Sequence, residues 1–130
     1  MIVEDNQVNQ KIAAMIVESL GHKPIQIYDG NDAIEAAQKH RPDLIILDIQ
    51  LPNISGVEIC KILKSDDKLH KIPVIVVTIL SSEEDRKRIT NESKCDDYIA
   101  KPFFPKNFSE AIGKFIRVKQ VDWDHQSERK

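Results

Sequence analysis

Leu44-Ile45-Ile46-Leu47-Asp48-Ile49-Gln50-Leu51-Pro52-Asn53-Ile54-Ser55-Gly56 decides the fold. The opening four residues form an apolar run of strand length, bounded by polar and turn-forming residues, and such a run reads as a strand buried on both faces. Asp48 then stands at its carboxyl end. Beyond the turn, Ser55 with Glu58 three residues later has the form of a capping box, so a helix starts here. Strand, carboxylate, turn and helix in that order describe half of a parallel β/α unit, and in an open parallel sheet ligands bind at the carboxyl edge of the strands.

Three further runs end the same way. Met1-Ile2-Val3 is followed by Glu4 and Asp5, Val74-Ile75-Val76-Val77 by Thr78, and Tyr98-Ile99-Ala100 by Lys101. Three carboxylates, a hydroxyl and an ammonium at one sheet edge suit a hard divalent cation and a phosphoryl group, and the carboxylates repel one another without them. Ile25-Gln26-Ile27 supplies a weaker fifth strand.

The intervening stretches carry helical periodicity, as parallel crossovers require. Val8, Ile12, Met15, Ile16 and Leu20 form one stripe, closed by Gly21. Ala33, Ile34, Ala37 and His40 form a second before Pro42. Val57, Ile59, Cys60, Ile62 and Leu63 form a third. A fourth helix begins near Ser81 or Ser82, with Glu84 or Asp85 at the reciprocal position. The fifth runs from Pro105 through Phe108, Ile112, Phe115 and Ile116.

The 130 residues, 41% of them hydrophobic, suit one domain with a single core. A formal net charge of −2 without a basic run argues against nucleic acid or an anionic membrane as a direct partner. With no membrane-length apolar stretch or signal-peptide pattern, a cytoplasmic protein is expected. Cys60 and Cys95 read as packed, reduced thiols. His22, His40, His70 and His125 match no metal-ligand spacing. The Ser65-Asp66-Asp67 cluster reads as a helix end and loop. Residues 119–130 are expected to be a polar tail or the start of a linker, and the first strand is short or has lost its beginning.

These residues carry a resemblance. The ordered set Glu4-Asp5, Asp48 to Gly56, Thr78 and Tyr98-Ile99-Ala100-Lys101-Pro102-Phe103 resembles the receiver domain of two-component response regulators over about residues 1–118. The Glu4-Asp5-Asn6 opening and the segment from Asp66-Asp67 to Ile72-Pro73 are similar to single-domain receivers of the cell-division type. The resemblance implies a flavodoxin-like fold, α/β, with a five-stranded parallel sheet in order 2-1-3-4-5 and five helices.

It also implies roles. Asp48 would be the phosphoacceptor, taking its group from a histidine kinase or phosphotransfer protein. Mg²⁺ would be held by Asp5, by Glu4 through water, by Asp48 and by the Gln50 backbone carbonyl; magnesium favours such sites because it takes few carboxylates and keeps several waters. Thr78 and Lys101 would bind phosphoryl oxygens, and Tyr98 would be the aromatic switch. A downstream protein would read the face of the fourth helix, fifth strand and fifth helix, and a homodimer is possible. The Lys101–Pro102 bond would be cis. The chain would be a signalling switch, not an enzyme acting on outside substrates.

Each residue also has a plainer reading: Asp48 as a turn residue, Glu4 and Asp5 as partners of a helix dipole, Thr78 as a strand residue, and Tyr98 as a packed aromatic. The departures from the family pattern are specific. Ile79, with Leu80 after it, replaces a small residue and would tune access to the phosphoryl site, which motivates the alternative of a degenerate receiver that binds partners without phosphorylation. Near Lys94 a glycine is missing, so a left-handed non-glycine turn is expected. Phe104 replaces a capping residue, and with Phe103 leaves an apolar spot. An aspartyl-phosphate phosphatase would need an acid where Gln50 stands. A flavodoxin would need a phosphate loop where Glu4-Asp5-Asn6-Gln7 lies.

Overall fold

The computed structural model describes residues 1–79 and 82–121. Five parallel strands, β1 (Ile2–Val3), β2 (Gln26–Ile27), β3 (Ile45–Asp48), β4 (Val74–Thr78) and β5 (Asp97–Ala100), form one sheet in the order β2-β1-β3-β4-β5. Five helices alternate with them: α1 (Gln7–Ser19), α2 (Ala33–His40), α3 (Gly56–Ser65), α4 (Glu83–Ser93) and α5 (Pro105–Gly113), with a 3-10 turn at Gly30–Asp32 before α2. Every residue of β1, β3 and β4 is buried, as expected of central parallel strands. The outer strands β2 and β5 are only partly covered.

Two cores flank the sheet. Val3, Ile45, Leu47, Val74 and Val76 point to one, against Ala33, Ala37, Ile59, Cys60 and Leu63 of α2 and α3. Ile2, Ile46, Ile75, Val77 and Ile99 point to the other, against Ala13, Ala14 and Ile16 of α1 and Phe108, Ala111 and Ile112 of α5. The alternation follows from the period of two along a strand. Both cysteines are free and buried on the first side. Burial pushes the Cys60 thiol up to about 12, so it is a poor nucleophile.

The helix ends show which sequence signals acted. Ser55 caps α3 through the Val57 N–H at 3.2 Å, but Glu58 lies 3.6 Å from Lys61 instead of completing a box. Ser82 caps α4 through the Asp85 N–H at 3.1 Å. Lys94 ends α4 in the left-handed region at φ 60, the non-glycine turn expected there, and Arg41 ends α2 likewise at φ 45. Phe104 occupies the cap position of α5 with no side-chain hydrogen bond and is exposed. That helix ends at Gly113, before Phe115 and Ile116. Asp66 caps the turn after α3 through the N–H groups of Lys68 and Leu69, so its role is structural.

The stripe assigned to α1 is corrected. Val8, Ile12 and Met15 are 67%, 39% and 59% exposed. The buried face is Gln10, Ala13, Ala14 and Ile16, with Leu20 beyond the helix end. Small alanines let the helix approach the sheet closely, and the larger residues turn outward. Ile62 on α3 and His40 on α2 are also exposed, not core.

Candidate functional site

Parallel pairing brings the strand ends together. Asp48, the last residue of β3, is in register with Val77, and Thr78, the last of β4, with Ala100. The Lys101 N–H donates to the Thr78 carbonyl at 2.8 Å, so the polar residues after β4 and β5 leave the sheet side by side. Glu4 and Asp5 follow β1, which lies beside β3. Asn6 caps α1 through the Asn9 N–H at 2.9 Å, and its own N–H donates to Glu4 Oε2 at 3.2 Å.

The acidic side chains converge. Glu4, Asp5 and Asp48 offer carboxylate oxygens that all lie within 4.8 Å of one another, with Glu4 and Asp48 buried and Asp5 exposed. Lys101 reaches the cluster, its Nζ 3.1 Å from Asp48 Oδ2 and 3.3 Å from Glu4 Oε1. Asp48 Oδ1 accepts the Gln50 N–H at 3.0 Å, which leaves the carboxylate oriented by a donor on each oxygen. The contact with Glu4 is an ion pair without hydrogen-bond geometry, so Glu4 Oε1 is a buried acceptor lacking a hydrogen-bond partner.

One ammonium among three carboxylates leaves an excess of negative charge. Burial and then the neighbouring Asp48 push the Glu4 carboxyl up to about 7. For Lys101, burial works against the charged form, but Asp48 and Glu4 outweigh it and the ammonium is held above its ordinary range. A buried carboxylate oxygen without a hydrogen-bond partner, an all-oxygen donor set and one exposed, accessible ligand fit a hard divalent cation such as Mg²⁺. Glu4, Asp5 and Asp48 would hold it. Gln50 sits beside Asp48 through its N–H.

The helix after this loop is fixed by close contact. A Cβ on Gly56 would lie 2.3 Å from the Asp48 carbonyl oxygen and 2.6 Å from Ile49 Cα, and the Gly56 N–H donates to the Ile49 carbonyl at 3.0 Å. Only glycine lets α3 start against the backbone that carries Asp48.

Tyr98 stands apart from the carboxylates, half-buried on β5, with the Arg86 guanidinium of α4 4.9 Å from its ring centre. Ile79 is 58% exposed and lines a groove with Asn9, Ile12, Lys101, Pro102 and Phe103. Leu80 lies outside the described residues. The Lys101–Pro102 bond is cis. Phe103 packs edge-on against Phe108 at 4.9 Å, which leaves Phe104 as the exposed member of the pair.

Sequence reasoning missed two elements. Gln10 is a fully buried polar residue within α1, and its place in a helix of mixed composition carried no signal. The apolar surface of Val8, Ile12 and Met15 was visible as a stripe, but its outward direction was not.

The profile of the response regulator receiver domain family matches residues 1–113. The chain is 44% identical over 116 residues to the polar-differentiation response regulator DivK of Brucella anthropi, covering 89% of this chain and 94% of that one. It superposes with a TM-score of 0.79 and 28% identity on the receiver domain of a sensor histidine kinase from Pseudomonas aeruginosa, which has a magnesium ion coordinated in its active site cleft; 88% of this chain and 93% of that chain are covered. The fold is also that of a chemotaxis response regulator of Vibrio cholerae, at a TM-score of 0.81, 23% identity, and 88% and 95% coverage.

Proposed function

The chain belongs to the response regulator receiver domain family, and from that premise we propose that Asp48 accepts a phosphoryl group from a phosphohistidine donor and that the product switches partner binding. The observation that carries this is the convergence of Glu4, Asp5 and Asp48 on Lys101 at the carboxyl edge of the sheet. An Asp48 carboxylate oxygen attacks phosphorus, a P–O bond forms as the P–N bond to the donor imidazole breaks, and that imidazole leaves as the neutral base once protonated. Bound Mg²⁺ would neutralise oxygen charge during transfer, the largest electrostatic task in this chemistry. Lys101 already lies at the acceptor carboxylate, 3.1 Å from Asp48 Oδ2, and adds a second positive charge there. Donors on both oxygens hold Asp48 in one orientation, which lowers the entropic cost of attack.

Phosphorylation replaces a carboxylate of charge −1 with a group of about −1.5 to −2 and new acceptor oxygens. Thr78 and Lys101 meet these oxygens by moving toward them, which makes room for Tyr98 to leave its place under Arg86. Two discrete positions of the ring give the bistable element a switch needs. The reader is a protein on the α4-β5-α5 face, where Arg86, Tyr98 and the Asp97–Lys114 pair at 3.0 Å lie. A coupling of about 1–3 kcal/mol corresponds to roughly 5- to 150-fold tighter binding after phosphorylation.

Intact-mass measurement with Mg²⁺ and a small phosphodonor tests the reaction. The wild type should gain the mass of a single phosphoryl group, lost again on hydroxylamine treatment. No gain, or a gain unaffected by chelation, would overturn the assignment.

Exposure supports a docking face for the donor protein on α1. Val8, Ile12 and Met15 form an apolar ridge on α1 that continues to Ile79 in the groove beside Lys101. Apolar area this close to the acceptor is suited to a helical donor, whose burial contributes about 25 cal/mol per Å². Ile12→Glu should slow transfer from a protein donor by about ten-fold, the equivalent of about 1.4 kcal/mol, while small-donor labelling stays near wild type. Ile79→Ala should speed small-donor labelling. Equal effects of Ile12→Glu on both donors would show that it damages the site instead of the docking face.

A further inference from the structure

Gln10 is wholly buried on the sheet-facing side of α1. Its Nε2 lies 3.1 Å from the Ile2 carbonyl, 3.2 Å from the Glu4 carbonyl and 3.1 Å from the Ile27 carbonyl, so it spans the carboxyl ends of β1 and β2. Two N–H bonds serve three acceptors, and one is shared. The opposite atom, Oε1, is buried with no hydrogen-bond partner. That defect is informative, because an unpaired buried carbonyl costs free energy that an apolar side chain of the same volume would avoid. The residue is therefore better explained by what its nitrogen holds than by packing.

What it holds is the peptide unit from which the acidic pair projects. The Glu4 N–H is tied to the Ile27 carbonyl at 3.0 Å, and Gln10 binds both that carbonyl and the carbonyl of Glu4 itself. The Glu4 N–H is thus anchored to β2 and its carbonyl to α1. Beyond it the chain leaves the sheet through Asp5 to the Asn6 cap, and no sheet bond steadies this turn. The like-charged Asp48 beside Glu4 disfavours the approach of the two carboxylates, and the Gln10 amide is bonded to the peptide unit that carries Glu4.

We propose that Gln10 is the positioning residue of the acidic site: by anchoring the Glu4 carbonyl from within α1, it sets where the Glu4 and Asp5 carboxylates stand and so the affinity for a divalent cation. The inference rests on the reading of Glu4, Asp5 and Asp48 as that cation's ligands. Magnesium makes the position matter, since it accepts oxygen only near about 2.0–2.1 Å in close to octahedral geometry. Groups that orient ligands without touching the ion typically change metal affinity by about 10–100-fold when removed.

The test is a Mg²⁺ titration of the full chain, followed by the amide NMR shifts of Asp5 and Gln50, on the wild type, Asp5→Asn, Gln10→Met and Ile16→Val. Methionine matches glutamine in shape and lacks the donor. Ile16→Val trims the same buried face without touching the amide, and melting in a chelating buffer calibrates the loss of stability in each. Gln10→Met should bind Mg²⁺ about ten-fold more weakly, while Ile16→Val stays within about two-fold of wild type. Binding by Gln10→Met within about two-fold of wild type, or equal weakening by Ile16→Val, would overturn the proposal. If Gln10→Met does not fold, Gln10→Asn, which keeps the amide but retracts it by a methylene, makes the same comparison. A wild-type titration that Asp5→Asn leaves unchanged would refute the cation site itself, a failure visible without any Gln10 variant.

Discussion

In a chelating buffer Asp48→Asn is expected to melt above the wild type by roughly 3–8 °C, which corresponds to about 1–2 kcal/mol for a domain of this size, and to take up no phosphoryl group at all. The wild type confines three carboxylates within 4.8 Å around one ammonium, two of them buried. Removing the Asp48 charge relieves Glu4 of a like-charged neighbour and leaves Lys101 to pair with Glu4 alone. The pH dependence separates this from a general gain in stability. Glu4 titrates near 4.5 in the unfolded chain and near 7 when folded, so across that window the folded state holds a proton that the unfolded state has released. The stabilisation present below pH 4.5 is therefore lost as pH rises to about 7. Asp48→Asn should make this decline shallower without abolishing it, because burial, the larger cause of the Glu4 shift, remains. Mg²⁺ should raise the wild type most, by about 2.7 kcal/mol at a hundred times its dissociation constant. Identical melting of the two proteins with and without Mg²⁺ would show that the carboxylates do not share a site in solution.

Gly56→Ala should destabilise the domain by about 3 kcal/mol, roughly 10 °C in melting temperature, as strong overpacking does. The added methyl would meet the Asp48 carbonyl oxygen at 2.3 Å and Ile49 Cα at 2.6 Å, and both are backbone, which cannot rotate out of the way. Relief requires α3 to withdraw or the Asp48 loop to move, so phosphoryl uptake should fall as well. Gly113→Ala is the control. Its Cβ would meet Val118 Cγ2 at an ordinary 3.5 Å near the end of α5, so stability should hold or rise, since alanine favours helix over glycine by up to about 1 kcal/mol. Equal losses in the two variants would point to backbone freedom, not the contact with Asp48.

The strand ends were legible because burial on both faces writes a simple pattern. A run such as Val74 to Val77 has no polar face, and the first polar residue after it must stand at the edge of the sheet. Three such runs, with Tyr98-Ile99-Ala100 on the outer strand, placed Glu4, Asp5, Asp48, Thr78 and Lys101 at one edge. The left-handed end of α4 at Lys94 was anticipated through the resemblance to receivers, in which glycine is usual near this position, and not from a local signal. Arg41, with the same geometry, has no comparable signal.

The sequence by itself therefore determined the parallel β/α alternation, the residues at the carboxyl edge and the chemistry they suit. Only the tertiary structure decided which way α1 faces and what Gln10 does. Val8, Ile12 and Met15 keep helical spacing as Gln10, Ala13 and Ala14 do, and periodicity reports that a stripe exists without saying what covers it. The choice is made by packing: alanines admit the close approach of α1 to β1, and the carbonyls of Ile2, Glu4 and Ile27 supply the acceptors that make a buried amide tolerable. Both conditions lie on other elements, and no local pattern within α1 records them.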